Sequence, residues 1–268
     1  MSHALRSVSP TPRLDAEVLV MHVCGLSRSG LIARGNVALT SDRRQRLDEL
    51  LARRTQGEPV AYLTGTREFW SMEFTVTPAT LIPRPETEAL VEKALGRIPE
   101  NAEWKIADLG AGSGAMALAL AKERPRCRII ATDILPAALE VARSNAGKFG
   151  LTNIEFREGD WFNPLAGETL DMIVSNPPYV RADDPHLRQV DLRHEPVTAL
   201  VSGADGLDAI LHIALHAQEF LKAGGWLMFE HGWDEAVAVG ELLRQYGYSD
   251  MVYHQDLAGH ARVAACRW

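Results

Sequence analysis

The sequence predicts an α/β protein: a doubly wound, mostly parallel seven-stranded sheet, preceded by a small N-terminal helical domain and joined to it by a β-hairpin. Three observations lead there. From Trp104 onward, short apolar runs alternate with helix-length segments, the pattern of a parallel sheet with helices on both faces. A glycine-rich turn, Gly110-Ala111-Gly112-Ser113-Gly114, separates the first apolar run from its helix. Directly after the apolar run Met172-Ile173-Val174, the pair Pro177-Pro178 ends any possibility of a continuing central strand, because neither residue can donate to a ladder.

The N-terminal part reads as helical. Leu14, Val18, Leu19 and His22 recur at helical spacing, with Asp15 and Glu17 in the first turn and Gly25 at the exit. A second helix is expected from Ser41 as N-cap, with Leu47, Leu50 and Leu51 on one face, ending near Gly57. Between Tyr62 and Val76, the aromatic and β-branched residues Phe69, Trp70, Phe74 and Val76 flank Ser71-Met72-Glu73 and suggest a hairpin. Pro85 suits the first position of a helix running to Leu95. The expected organisation is a helical domain over 1–60, a hairpin linker over 61–84 and a catalytic domain over 85–268.

Within that last domain Ile106–Leu109 reads as the first strand and Ala115–Arg124 as its helix. Arg128–Thr132, Ile154–Phe156 and Leu170–Ser175 read as further strands, with a helix over Pro136–Phe149. A helix over Leu207–Leu221, the strand Gly225–Glu230, a helix over Asp234–Tyr246 and a terminal hairpin complete the order.

Bulk properties narrow the setting. At 268 residues the chain can bury a sizeable core, and 46% hydrophobic with 24% charged residues is the balance of a soluble globular protein. No apolar stretch is long enough to span a bilayer, and residues 1–13 lack a signal-peptide core. Cys24, Cys127 and Cys266 stand singly, so neither a disulfide framework nor a zinc site is expected, which fits a reducing cytoplasm. A net charge of −7 offers no general attraction to nucleic acid, so no stable nucleic-acid binding is expected. The arginines Arg43, Arg44, Arg46, Arg53 and Arg54 form a local basic cluster, read first as a solvated helix face.

The candidate chemistry lies in four strand-end loops. Asp108 precedes the glycine turn, whose free N–H groups at a helix start suit an anionic or amino-acid-like moiety. The spacing G-x-G-x-G departs from the G-x-G-x-x-G of dinucleotide enzymes. Asp133, about twenty residues on, followed by Ile134, stands where an acid commonly accepts from ribose hydroxyls. Asp160 and Trp161 follow the third strand and can accept from, and flank, an adenine base; core packing is an equal role for Trp161. The fourth loop is Asn176-Pro177-Pro178-Tyr179. An Asn side-chain oxygen beside proline carbonyls offers acceptors for both hydrogens of a planar –NH2 group. On its own the tetrapeptide is equally a Pro-rich turn.

Taken together these loops resemble those of the S-adenosylmethionine-dependent methyltransferases, which have a Rossmann-like sheet. Within them the chain is most similar to the release-factor glutamine methyltransferases of the HemK/PrmC family. The resemblance is carried by Gly57–Gly65, Glu68-Phe69, Leu81-Ile82-Pro83-Arg84-Pro85-Glu86-Thr87-Glu88 and Asp108–Gly114. It continues through Ala131–Ile134, Asn176–Tyr179, Glu195-Pro196, Gly203–Leu207, Glu230-His231-Gly232 and Asp256–Gly259. Ala111, where Thr is frequent, and Trp233-Asp234-Glu235, where a glutamine is usual, depart from the family pattern.

The resemblance implies S-adenosyl-L-methionine as methyl donor, bound by Asp108, Gly110, Ala111, Gly112, Ser113, Gly114, Asp133, Ile134, Asp160, Trp161 and Asn176, with S-adenosyl-L-homocysteine as product. It implies peptide chain release factors one and two as substrates, methylated on the glutamine of their Gly-Gly-Gln motif, by a cytoplasmic enzyme expected to be a monomer and to need no metal. Asn176 and Pro177 would supply the acceptors, Pro178 and Tyr179 would complete the substrate site, and Tyr179 would wall the planar amide. Three other readings share part of the pattern. They are an adenine amino-group methyltransferase, a nicotinamide-dependent oxidoreductase and a non-catalytic cofactor-binding module.

Overall fold

The computed structural model describes residues 1–34, 38–189, 191–256 and 259–268. Leu257 and Ala258, in the middle of the Asp256–Gly259 stretch, lie outside the described residues. The chain divides into two compact units: Met1–Thr66 with Pro185–His194, and Arg67–Asp184 with Glu195–Trp268.

The first unit is helical, with α1 (Pro12–Cys24), α2 (Arg28–Arg34), α3 (Ser41–Thr55) and α4 (Val60–Thr64). Gly25 ends α1 at φ 64°, its N–H returning to the His22 carbonyl and the next N–H, of Leu26, to the Met21 carbonyl, the left-handed exit that glycine takes without a Cβ penalty. Three features differ from expectation. The short α2 has a weak apolar pattern and is started by Ser27, whose Oγ accepts from the Gly30 N–H at 3.1 Å. Tyr62–Thr64 belong to α4 and not to the hairpin. The N-cap of α3 falls on Thr40, with Ser41 the first helical residue. Leu19, Leu47, Leu50 and Leu63 form the core of this unit.

Arg54 also departs from expectation. It is 2% exposed, pairing with Asp15 at 2.8 Å and Asp191 at 2.7 Å, so the 185–194 segment is held to this unit through a buried arginine and a half-exposed aspartate. Arg53 pairs with Glu58, leaving the basic cluster smaller than its sequence suggests.

The second unit opens on the hairpin β1 (Thr66–Phe69) and β2 (Met72–Thr75). Its turn is Trp70-Ser71, both at positive φ (52° and 53°), the combination that matches strand twist in a two-residue loop. The helix α5 (Thr87–Leu95) starts two residues beyond Pro85. Strands and helices then alternate: β3 (Lys105–Leu109), α6 (Ala115–Glu123), β4 (Arg128–Asp133), α7 (Pro136–Phe149), β5 (Ile154–Glu158) and β6 (Leu170–Ser175). They end in α8 (Asp208–His216), β7 (Leu221–Glu230), α9 (Ala236–Gln245), β8 (Ser249–Gln255) and β9 (Ala261–Arg267). The helix expected to reach Leu221 stops at His216, because Leu221 already pairs with Leu170 as the first residue of β7.

The sheet has seven strands in the order β5-β4-β3-β6-β7-β9-β8, all parallel except β9, which runs antiparallel to both neighbours. Alternate residues feed opposite faces, as the two-residue period of a strand requires. Ile106, Ile129, Ala131, Met172 and Val174 join the core beneath α5, α6 and α7. Ala107, Leu109, Ile130, Ile173, Leu227 and Phe229 join the core beneath α8 and α9. Strand order reverses between β3 and β6, each followed by a connection to a different side. Ligands of open parallel sheets bind outside the carboxyl ends at such a switch point.

Candidate active site

A cavity of about 270 Å³ opens at that switch point. Four strand ends contribute to it: Gly110 and Gly112 after β3, Asp133 and Ile134 after β4, Asp160 and Trp161 after β5, and Asn176, Pro177 and Pro178 after β6. Of the other residues singled out from sequence, Asp108 at the end of β3 and Ala111, Ser113 and Gly114 within the glycine turn do not line the cavity. Tyr179 also lies off the wall; its hydroxyl donates to Glu230 Oε1 at 2.8 Å.

The glycine turn is built from below. The N–H groups of Gly110 and Ala111 both donate to the Thr132 carbonyl at 2.9 Å, locking the turn to the end of β4. Gly114 sits at φ 80°, and a Cβ there would come within 3.1 Å of the Ala142 Cβ and the Leu118 Cδ1. A side chain at this position would therefore prise α6 away from α7.

Asp133 closes the turn from the other side. Its Oδ2 accepts from the Gly112 N–H at 2.8 Å and its Oδ1 from the Leu135 N–H at 2.9 Å. Burial pushes its pKa up, while the backbone donors Leu135 and Gly112 oppose the shift. The carboxylate is thus held in one rotamer on the cavity wall, with lone pairs remaining on both oxygens. Trp161 is held at φ 42°, a backbone conformation that a large side chain adopts only where its surroundings impose it.

Asp108 is fully buried at the end of β3; Oδ2 accepts from the Ala117 N–H at 3.0 Å, and Oδ1 has no hydrogen-bond partner among the described residues. Burial, and then the nearby Asp133 charge, pushes its pKa up to about 7. An orphaned carboxylate oxygen beneath an N–H-rich turn fits a cationic amino group of a ligand, which would both pair the oxygen and stabilise its charge. The sign of the pH effect follows. Between about pH 4 and 7 the folded carboxyl keeps a proton that the unfolded chain has lost, so stability falls as pH rises across that window. Asp108→Asn should remove this contribution, flattening the pH dependence of the unfolding free energy by a few kcal/mol. Chemical denaturation from pH 4 to 8 checks it, and parallel curves for the two proteins would refute it.

Several cavity residues are not among the site residues expected from sequence. Ala79, Thr80 and Leu81, before α5, and Pro196, Thr198 and Ala199, before α8, add to the wall. Glu195 ties these two segments together. It is 4% exposed, accepting from the Ile82 N–H at 3.0 Å and from Arg84 Nη2 at 2.5 Å. The signal was present as Leu81–Arg84 and Glu195-Pro196, but only the fold shows that the two stretches meet. Beyond Tyr179 the loop is held by a short parallel bridge, with Val180 N–H on the Leu200 carbonyl at 2.8 Å and Ser202 N–H on the Val180 carbonyl at 2.9 Å.

The family model of the PrmC N-terminal domain matches residues 1–65, and that of the methyltransferase small domain matches residues 87–195. The release factor glutamine methyltransferase of Escherichia coli (strain K12) is 49% identical over 260 residues, covering 97% of this chain and 94% of that one. The chain belongs to the release factor glutamine methyltransferase family. The family member of Xylella fastidiosa (strain 9a5c) is 48% identical over 255 residues, covering 95% of this chain and 93% of its own. The fold is shared more widely. A methyltransferase from Pyrococcus furiosus superposes with a TM-score of 0.56 at 17% identity, over 85% of this chain and 98% of that one. The family assignment reaches both compact units, since the N-terminal model covers the helices of the first and the methyltransferase small domain model covers the glycine turn in the second.

Proposed function

We propose that the protein transfers a methyl group from S-adenosyl-L-methionine to the side-chain amide nitrogen of the glutamine in the Gly-Gly-Gln motif of peptide chain release factors. The observation that carries this reading is the Asn176-Pro177-Pro178 wall at the switch-point cavity of a family member, facing loops suited to an amino acid, a ribose and a base. The donor fits the residues present: Asp108 Oδ1 can pair its ammonium, Asp133 its ribose hydroxyls, and Asp160 with Trp161 its adenine. When bound, it supplies an activated methyl on a positively charged sulfur.

The chain's own task is positioning. An amide nitrogen is a poor nucleophile, because its lone pair is delocalised into the carbonyl. No side chain here is basic enough to remove its proton beforehand. Two fixed acceptors, the Asn176 side-chain oxygen and the Pro177 carbonyl, would orient the –NH2 so that the nitrogen lies in line with the methyl. As the nitrogen gains positive charge, both acceptors hold its hydrogens more tightly than in the ground state, which lowers the barrier selectively. The proton then leaves to water.

The helical unit, which includes the 185–194 segment, would recognise the protein substrate. Release factors one and two are the expected partners, met by a monomer in the cytoplasm. Among the described residues no helix is long and apolar enough to cross a membrane. An adenine amino group is not favoured as acceptor, since a nucleic-acid channel needs cationic balance and the chain carries −7. Radiolabelled donor offered with a release factor, its Gln→Ala variant, DNA and RNA tests the assignment. Label should enter only the unsubstituted release factor; label in either nucleic acid, or in the Gln→Ala factor, would contradict it.

A further inference from the structure

The orientation of one carboxamide decides whether this site works. Rotated by half a turn, Asn176 would present its own –NH2 to the substrate –NH2, placing donor against donor. Three residues from separate elements bear on that choice. Asn176 Nδ2 donates to Thr87 Oγ1 at 3.0 Å, Thr87 Oγ1 donates to Glu230 Oε2 at 2.7 Å, and Tyr179 Oη donates to Glu230 Oε1 at 2.8 Å. Thr87 is the first residue of α5 and Glu230 the last of β7; they are 6% and 1% exposed, so water does not substitute for either.

With Glu230 ionised, hydrogen counting fixes the polarity of this relay. A carboxylate only accepts, and threonine has a single hydroxyl hydrogen. With that hydrogen committed to Glu230, the Thr87 oxygen can only accept, so Asn176 must turn its Nδ2 toward it. The Asn176 Oδ1 is then the end left for a substrate. Tyr179 occupies the second carboxylate oxygen, and its hydroxyl hydrogen likewise has one direction to go.

We propose that Thr87 and Glu230 are positioning residues that set which end of the Asn176 carboxamide faces the substrate amide, with Tyr179 completing the relay. This rests on the reading of Asn176 as a substrate acceptor. It gives a physical role to the threonine of the Arg84-Pro85-Glu86-Thr87-Glu88 stretch and to the glutamate of Glu230-His231-Gly232, which the mechanism itself leaves unused. It also places the effect of Tyr179 on the carboxylate and, through Thr87, on Asn176.

The test uses the full-length protein with a release factor and S-adenosyl-L-methionine. Thr87→Val keeps the shape but removes the hydroxyl; kcat should fall about tenfold, the scale of one hydrogen bond, with donor Kd and unfolding midpoint near wild type. Thr87→Ser, which keeps the relay, should restore kcat to within about threefold of wild type. Glu230→Gln brings an –NH2 that can donate to Thr87 and reverse the relay, so kcat should fall at least as far as in Thr87→Val. A folded Thr87→Val with wild-type kcat, or a Thr87→Ser as slow as Thr87→Val, would overturn the inference. Asn176→Ala run beside them separates the two levels. If it is inactive while Thr87→Val is unimpaired, the relay alone is wrong; if it is fully active, the acceptor reading itself is wrong.

Discussion

Asn176→Ala lowers kcat for release-factor methylation about a thousandfold while leaving the affinity for S-adenosyl-L-methionine within a few-fold of wild type. The size follows from two losses that act together. Removing one preorganised polar partner of developing charge costs about 10²–10³ in rate. Losing the in-line orientation of a weak nucleophile adds to this, since misplacement alone can cost about 10². Asn176 sits on the wall of the cavity at the end of β6, tethered by its Nδ2 to Thr87. The truncation therefore empties an acceptor position without touching Asp133 or the glycine turn. Turnover and calorimetry on the same preparation check it. Unchanged kcat would remove Asn176 from the mechanism, and a parallel loss of donor affinity would show that it acts as a general part of the cavity wall.

Asp133→Ala weakens donor binding about a hundredfold, with kcat at saturating donor falling much less. Hydrogen bonds to a charged acceptor contribute about 1.5–3 kcal/mol each, and a loss of about 3 kcal/mol is about a hundredfold in Kd. Two effects push the same way here. The ribose acceptors disappear, and the Gly112 and Leu135 N–H groups lose the carboxylate that now holds them. Asp133→Asn separates these effects: it keeps one acceptor oxygen and the side-chain shape, and should fall between the two. Isothermal titration with S-adenosyl-L-methionine gives the answer directly, and equal affinities across the three proteins would refute the role.

The catalytic sheet was legible because its signals are local. Pro136 and Phe149 bound α7, and Leu170 and Ser175 bound β6, where expectation and structure coincide. An apolar run closed by prolines or glycines leaves little freedom. The same local logic located the strand-end loops, because each chemistry-bearing residue directly follows its strand. What stayed hidden depends on contacts between distant segments. Glu195 meets Ile82 and Arg84 across more than a hundred residues; each stretch stands out in sequence, but nothing in either says that they meet. Arg54 read as one of a run of solvated arginines, yet Asp15 and Asp191 draw it inside. Tyr179 stood out by its place in the tetrapeptide, but the bond of its hydroxyl to Glu230, 51 positions away, had no signal in the sequence. Ionic and hydrogen-bonded partners of this kind carry no periodicity, so pattern alone does not find them.

The central claim is that this cavity delivers a methyl group to one amide nitrogen. Tandem mass spectrometry of an intact release factor, digested after incubation with the protein and S-adenosyl-L-methionine, tests it most directly. The account predicts a single added methyl on the side-chain nitrogen of the Gly-Gly-Gln glutamine, present with the wild-type protein and absent with Asn176→Ala. A methyl group on any other residue, or the same modified glutamine formed undiminished by Asn176→Ala, would contradict it.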